Sequence, residues 1–199
     1  MAKGPQYNLR FRRRREGRTD YGKRKKLVAS GMARLVVRPS NKHIAAQLIR
    51  ALPDGDRVLA SAHSSELKEF GWKAPCGNLP AAYLTGLLVG RRAKDSGVSE
   101  AILDIGLHSK GPGSRIFAAA NGAVEAGLTI PHDKSALPSK ERLQGEHVES
   151  YSKLLAPEAE RYKKMFSAYL KQKLKPEELP KHVTDVEAQI KGASEEAKA

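Results

Sequence analysis

The chain has 199 residues, 40% of them apolar and 6% aromatic, with 36 Lys and Arg against 22 Asp and Glu. No run approaches the roughly 18 consecutive apolar residues of a transmembrane helix, and the single cysteine excludes an intrachain disulfide or a cysteine-rich zinc site. The net charge of +14 predicts a polyanionic partner, either a nucleic acid or, less often, an anionic membrane surface.

The positive charge is concentrated in residues 1–32, which we call the arm. Its first 26 residues hold eleven Lys and Arg against two carboxylates, with Tyr7, Phe11 and Tyr21 interleaved. Such a segment cannot bury enough surface to fold alone, so we expect an extended arm that orders on RNA. Guanidinium groups pair with phosphate, and aromatic faces stack on unpaired bases. The alternative is a solubility tail or localisation signal. A membrane-surface arm is disfavoured because no amphipathic helix accompanies the charge.

Three strands are predicted after the arm. Residues 34–38, 43–51 and 57–63 are rich in β-branched or apolar side chains and are separated by turn signals, the stronger of them at residues 53–55. Because the connections between neighbouring strands are short, these strands should form an antiparallel meander.

A helix–strand–helix unit follows the meander. One helix should begin after the N-cap Asn78 and end near Gly97, and the apolar run 101–107 should be a buried parallel strand. Ser114 is a candidate cap for a second helix, which ends near Gly127. Residues 33–132 therefore predict an α/β body with a mixed sheet and helices packed on it.

Residues 133–199 should form a helical C-terminal extension. Helical, highly charged segments are predicted at 139–149, 158–175 and 181–191. One narrow apolar stripe should pack on the core or on a neighbouring molecule: Tyr162, Met165, Phe166 and Tyr169.

The sequence contains no recognisable catalytic constellation. It has no glycine-rich dinucleotide fingerprint and no Walker loop, and no two of its six histidines lie three or four residues apart. Cys76 is most simply a small buried hydrophobe. We therefore predict that the chain is not an enzyme and has neither a metal site nor a cofactor.

Two loops are candidate anion sites. The loop before the second helix could bind phosphate through its free N–H groups and through Lys110, Ser114 and Arg115, or it could be an ordinary capped turn. The first hairpin tip places polar or basic side chains around one turn, which suits phosphate and sugar hydroxyls, although exposed tips are usually polar. These residues are Arg38, Ser40, Asn41, Lys42 and His43.

Several ordered motifs carry a family resemblance. Residues 7–21 (YNLRFRRRREGRTDY) resemble the N-terminal arm of the archaeal and eukaryotic members of universal large-subunit ribosomal protein eighteen, the 5S-rRNA-binding protein family. Residues 34–47 (RLVVRPSNKHIAAQ) are similar to a hairpin that bacterial members share. Residues 104–106, 111–119 and 125–127 are similar to the family's last βα unit, and residues 130–132 (IPH) are similar to the archaeal form.

The resemblance implies a structural protein of the cytoplasmic ribosome, archaeal in type. It would bind 5S rRNA and help attach it to 23S rRNA in the central protuberance, beside neighbouring large-subunit proteins, with no membrane and no small-molecule substrate. An RNA-processing or RNA-modifying enzyme and a DNA-binding architectural protein are the alternatives. The predicted RNA contacts are Tyr7, Arg10, Phe11, Arg12, Arg13, Arg14, Arg15, Arg18, Thr19, Tyr21, Lys23, Arg24, Lys25, Lys26, Arg38, Ser40, Asn41, Lys42, His43, Lys110, Ser114 and Arg115.

Overall fold

The computed structural model describes residues 4–109 and 111–196. The arm contains two helices, α1 (Arg12–Arg15) and α2 (Tyr21–Ala29), instead of the extended chain expected from its composition. The side chain of Asp20 caps α2 by accepting the backbone N–H groups of its first turn. Neither helix has a buried residue, so no core within the arm supports them; α2 has the Asp20 cap, whereas α1 has no side-chain cap.

Four strands of the body form one mixed sheet in the order β3-β2-β1-β4. They are β1 (Ala33–Pro39), β2 (Ile44–Leu52), β3 (Gly55–His63) and β4 (Ala101–Asp104). The first three are an antiparallel meander and β4 is parallel to β1, which confirms the predicted α/β class and topology. The predicted strand 101–107 is too long, because the chain turns after Asp104 and His108 donates to the Ile105 carbonyl.

Two helices, α3 (Leu79–Asp95) and α4 (Arg115–Glu125), cover one face of the sheet. Asn78 caps α3 as predicted, accepting the Ala81 N–H at 2.8 Å. Ser114 occupies the N-cap position of α4, but its hydroxyl makes no capping hydrogen bond, so the predicted side-chain cap is wrong. Because side chains alternate along β1, Leu35 and Val37 enter the helix-covered core, whereas Arg34 and Val36 point to the opposite face.

The backbones of α3 and α4 touch directly. A Cβ atom added at Gly86 of α3 would lie 1.9 Å from the carbonyl oxygen of Ala119, and one added at Gly122 of α4 would lie 2.1 Å from that of Tyr83. The two helices can approach this closely only because each presents a glycine to the other.

The extension contains five α-helices within the described residues. They are α5 (Lys140–Gln144), α6 (Glu146–Leu155), α7 (Ala159–Met165), α8 (Ser167–Lys171) and α9 (Leu179–Glu196), and short 3-10 turns occur at Glu66–Lys68, Lys134–Ala136 and Pro176–Glu178. The predicted helix 139–149 is interrupted at Gly145, which has a φ of +86°, and the predicted helix 158–175 is divided at Phe166. Residues 181–191 are helical as predicted.

The extension joins the hydrophobic core of the body. Leu143, Leu174, Leu179, Val183 and Ile190 are buried in the same cluster as the apolar faces of the sheet and α3. Of the predicted apolar stripe, Phe166 is buried and Tyr162 and Tyr169 are partly buried, with Tyr169 packed against the core, whereas Met165 is 55% exposed. None of the described helices is both long and apolar enough to cross a membrane.

Candidate nucleic-acid interface

The arm presents most of its basic side chains to solvent. Tyr7 and Phe11 are 53% and 71% exposed, and the ring of Phe11 lies 5.1 Å from that of Tyr21. Arg12 pairs with Glu16 at 2.9 Å, and Arg18 pairs with the same carboxylate. The remaining exposed basic residues of the arm are Arg10, Arg13, Arg14, Arg15, Lys23, Lys25 and Lys26. These side chains can turn toward an external phosphate without being drawn out of a core.

The start of α2 is fixed by two local contacts. The Asp20 carboxylate accepts the N–H groups of Gly22 and Lys23 at 3.0 and 3.1 Å, and the bond from Lys23 holds the pKa of Asp20 below its usual value. Arg13 Nε donates to the Thr19 hydroxyl at 2.9 Å, which turns the arm between α1 and α2. Thr19, a predicted RNA contact, is therefore part of the arm's own structure.

An ion pair ties the arm to the sheet. Arg24 of α2 donates to Asp56 of β3 at 2.9 Å, and the same carboxylate oxygen accepts Arg34 of β1 at 2.9 Å. A groove of about 620 Å³, which we call the arm groove, lies between α2 and the face of the sheet opposite the face that α3 and α4 cover. Its lining includes the basic side chains Arg13, Arg18, Lys23, Arg24, Lys26, Arg34 and Arg38.

Asp104 holds two arginines at the end of β4. It accepts Arg34 Nη1 at 3.1 Å and Arg38 Nη2 at 3.0 Å, and its backbone carbonyl accepts Arg38 Nη1 at 2.7 Å. Arg38 was predicted to contact RNA from the hairpin, but the structure directs its guanidinium to Asp104. The charge of Arg38 therefore faces the arm groove and not the hairpin tip.

The hairpin tip, residues 40–43, is closed by its own hydrogen bonds. The Ser40 hydroxyl donates to the His43 carbonyl and accepts the His43 N–H, at 2.9 and 3.0 Å. The ring of His43 lies 5.0 Å from that of His63, with its Nδ1 3.3 Å from the hydroxyl of Ser64. Asn41 and Lys42 are left exposed at the end of the turn.

Arg115 joins the hairpin tip to the start of α3. Its Nη1 donates to the carbonyls of Ser40 at 2.7 Å and Gly77 at 3.1 Å. Gly77 lies so close to the tip that a Cβ atom there would be 2.8 Å from the carbonyl oxygen of Asn41. The hydroxyl of Ser114 is buried without a hydrogen-bond partner, and Lys110 lies outside the described residues. Arg115 thus orders the tip, a role that the sequence did not indicate.

Sequence reasoning missed the acidic residues that organise this surface. Asp56 and Asp104 connect the arm, β1, β3 and β4, yet they are separated along the chain, and the 104–106 motif gives no sign that Asp104 pairs with arginines. A carboxylate that ends a buried strand, as Asp104 does, was the one available signal. Among the described residues, no three His, Cys, Asp or Glu side chains gather into a possible metal site.

The fold and this surface together define a class: a basic α/β nucleic-acid-binding protein that carries a cationic arm over an open sheet face. The sequence matches the family described as ribosomal large subunit proteins 60S L5 and 50S L18, over residues 5–98 and 93–133. The chain is 57% identical over 155 residues to the large ribosomal subunit protein uL18 of two strains of Halobacterium salinarum, covering 78% of this chain and 85% of each relative.

The chain therefore belongs to the family of ribosomal large-subunit proteins 60S L5 and 50S L18. Members of this family are structural components of the large subunit and not enzymes, and their place is the ribosome of the cytoplasm. The predicted family, structural role and absence of catalysis are confirmed, and the RNA-modifying enzyme and the architectural DNA-binding protein are set aside.

Proposed function

We propose that the chain binds 5S rRNA and helps attach it to 23S rRNA in the central protuberance of the large subunit, beside neighbouring proteins. The observation that carries this proposal is the arm: eleven Lys and Arg among the first 26 residues, mostly exposed, next to an open sheet face. Because the chain belongs to a family of ribosomal large-subunit proteins, ribosomal RNA is the polyanion that the arm is expected to bind. Among ribosomal RNAs, 5S rRNA is what the resemblance of the arm and hairpin motifs implies.

The arm would supply most of the affinity. Arg10, Arg14 and Arg15 point into solvent around α1, and a guanidinium suits phosphate because it donates two parallel hydrogen bonds. Lys23, Lys25 and Lys26 would extend the basic surface along α2. Because each neutralised phosphate releases counterions, the affinity should fall steeply with salt.

The aromatic side chains and the hairpin tip would add shape recognition. Tyr7 and Phe11 expose enough ring surface to stack on unpaired bases, which is how single-stranded RNA loops are commonly held. Asn41 and Lys42 would reach sugar and phosphate from a turn that Arg115 already holds in place. A preformed turn loses little conformational entropy on binding.

A filter-binding titration of the full chain against 5S rRNA, with excess tRNA as competitor and at several salt concentrations, tests this proposal. We expect binding of 5S rRNA to survive the competitor. Replacing Arg14 and Arg15 by Gln should reduce the slope of log affinity against log salt by about 1.5, at roughly 0.7–0.9 per lost phosphate contact. The matched control replaces Lys134 and Lys140, which are exposed and lie on neither the arm nor the hairpin tip. Equal binding of both RNAs, or equal slopes for both variants, would contradict the proposal.

A further inference from the structure

A second groove lies beside the hairpin tip and shares no lining residue with the arm groove. It has a volume of about 770 Å³ and is bounded by three segments: the hairpin tip, the loop 68–78 and helix α8 of the extension. We call it the lysine groove, because Lys42, Lys68 and Lys73 line it and all three are exposed. No Asp or Glu is among its described lining residues.

The walls of the lysine groove are fixed by contacts between the three segments. Arg115 clamps the hairpin tip to Gly77 through the carbonyls at 2.7 and 3.1 Å. On the other side, Asn78 Nδ2 lies 3.5 Å from the hydroxyl of Tyr169 on α8. The groove is therefore preorganised and would not need to be assembled by its ligand.

The extension also positions the loop that carries the lysines. His182 of α9 accepts the backbone N–H of Lys73 through Nε2 at 3.0 Å, and its ring stacks on Trp72 with centroids 5.2 Å apart and planes 18° apart. Trp72 is 3% exposed and anchors the loop in the core. Lys73 is thus held at the rim of the groove by an element of the extension.

We propose that the lysine groove binds the sugar–phosphate backbone of an rRNA segment other than the one held by the arm. Three ammonium groups without a carboxylate among them attract a polyanion, and none of the three makes a described ion pair within the protein. Asn41 and Lys42 of the hairpin tip line the groove, and the hairpin tip is itself a proposed RNA contact. This favours RNA over an acidic protein segment as the ligand of the groove. This inference rests on the proposed function and assigns a role to the extension: α8 and α9 complete a second RNA-binding surface.

The test combines affinity with residue-specific protection. Lys68 and Lys73 are replaced by Gln in the full chain, with the Lys134 and Lys140 double variant as the control of equal charge. For the groove variant we expect the dissociation constant for rRNA to rise about tenfold and the salt slope to fall by about 1.5.

In parallel, lysine acylation read by mass spectrometry compares the free protein with its complexes with 5S rRNA, and with 5S and 23S rRNA together. Lys42, Lys68 and Lys73 should be protected in at least one complex.

The two proposals fail in different ways. If neither RNA is bound specifically, the proposed function fails. If RNA is bound and Lys23, Lys25 and Lys26 of the arm are protected, while Lys68 and Lys73 stay fully reactive in both complexes, the lysine groove proposal is overturned alone. Protection only on addition of an acidic large-subunit protein would overturn it as well, in favour of a protein ligand.

Discussion

At the scale of single residues, Asp104 holds Arg34 and Arg38 of β1 on the sheet face that borders the arm groove. Arg34 is 3% exposed, so its charge depends on Asp104 and on Asp56, which is itself shared with Arg24. A buried charge that loses its partner is far more costly than an exposed one. Asp104 also accepts the Gly106 N–H at 2.9 Å and so ends β4.

Replacing Asp104 by Asn keeps an acceptor for Arg38 and Gly106 but removes the negative charge that faces Arg34. We expect the free energy of unfolding, measured by urea denaturation, to fall by about 3 kcal/mol. The control is Glu158→Gln, which disrupts an exposed pair with Arg161 and should cost less than about 1 kcal/mol. Equal losses for the two variants would show that the Arg34 charge does not depend on Asp104.

His182 gives stability a pH dependence. Burial first, and then the nearby Lys73 charge, lower the pKa of His182 below its ordinary value of 6.5, with Asp185 acting in the opposite direction. The folded state therefore favours the neutral ring that accepts the Lys73 N–H. Since the unfolded chain takes up a proton at a higher pH than the folded one, stability is fully present above pH 6.5 and falls as the pH drops toward the lowered pKa.

Urea midpoints measured from about pH 8 to about pH 5 should therefore decrease toward acid for the natural chain. His182→Gln keeps an acceptor but cannot titrate, so its midpoint should change less over the same interval. Part of the slope should remain, because burial and Arg142 also lower the pKa of His147. Identical pH profiles for the two proteins would mean that His182 is not the titrating group.

At the scale of elements, the contact between α3 and α4 sets how the body closes over the sheet. Gly86 and Gly122 bring the two backbones together, and Ala119 and Ala123 are fully buried between them. An interface this close has no room for an added methyl group, since protein interiors are packed like crystals. The start of α4, and with it Arg115 and the hairpin clamp, depends on the same spacing.

Gly86→Ala should therefore destabilise the body although alanine is the better helix former. Its Cβ would lie 1.9 Å from the Ala119 carbonyl oxygen, so the helices must separate, at a cost of about 3 kcal/mol or more in urea denaturation. Gly192→Ala on α9 is the matched control, because its added Cβ meets open space. That variant should gain up to about 1 kcal/mol. A neutral Gly86→Ala would show that α3 and α4 can move apart freely.

The elements that could be predicted from the sequence are those whose signals are local. The three meander strands and α3 carry apolar patterns bounded by turns or caps, and all were found to within a few residues. The helices of the arm were missed because α2 depends on a single cap at Asp20 and has no apolar stripe. The long helices predicted in the extension are broken at Gly145, which has a left-handed backbone conformation, and at Phe166, and the period of the apolar residues marks neither break.

The same distinction applies to the candidate site. The basic residues of the arm could be identified from the sequence alone, because a run of Lys and Arg is visible without knowing which residues the fold brings near it. The ties between Arg24 and Asp56, or between Arg115 and Gly77, join segments more than 30 residues apart and leave no sequence pattern. The lysine groove was missed for this reason: Lys42, Lys68 and Lys73 come together only through the fold.

At the scale of the whole molecule, the extension and the body share one core. Leu179 and Ile190 of α9 are 0% and 2% exposed within the cluster that also contains Leu84 of α3. A Cβ atom added at Gly145 would lie 2.8 Å from the Leu179 side chain, so α5 and α9 also meet there. We infer that the extension is not an independent appendage, and that loosening it loosens the walls of the lysine groove.

Leu179→Ala tests whether the extension and the body share one hydrophobic core. It should lower the free energy of unfolding by about 2–5 kcal/mol, because the removed methyl groups leave a cavity where the extension meets the body. Trp72, the only tryptophan, belongs to the body and stacks on His182 of the extension, so its fluorescence reports the contact between the two. In the natural chain and in the variant, the fluorescence and the whole far-UV circular dichroism signal should follow one common transition. Leu154→Ala is the control, since Leu154 is 74% exposed on α6 and its loss should change stability by less than about 0.5 kcal/mol. Two separated transitions in the far-UV circular dichroism signal, at different urea concentrations, would instead show that the extension unfolds by itself.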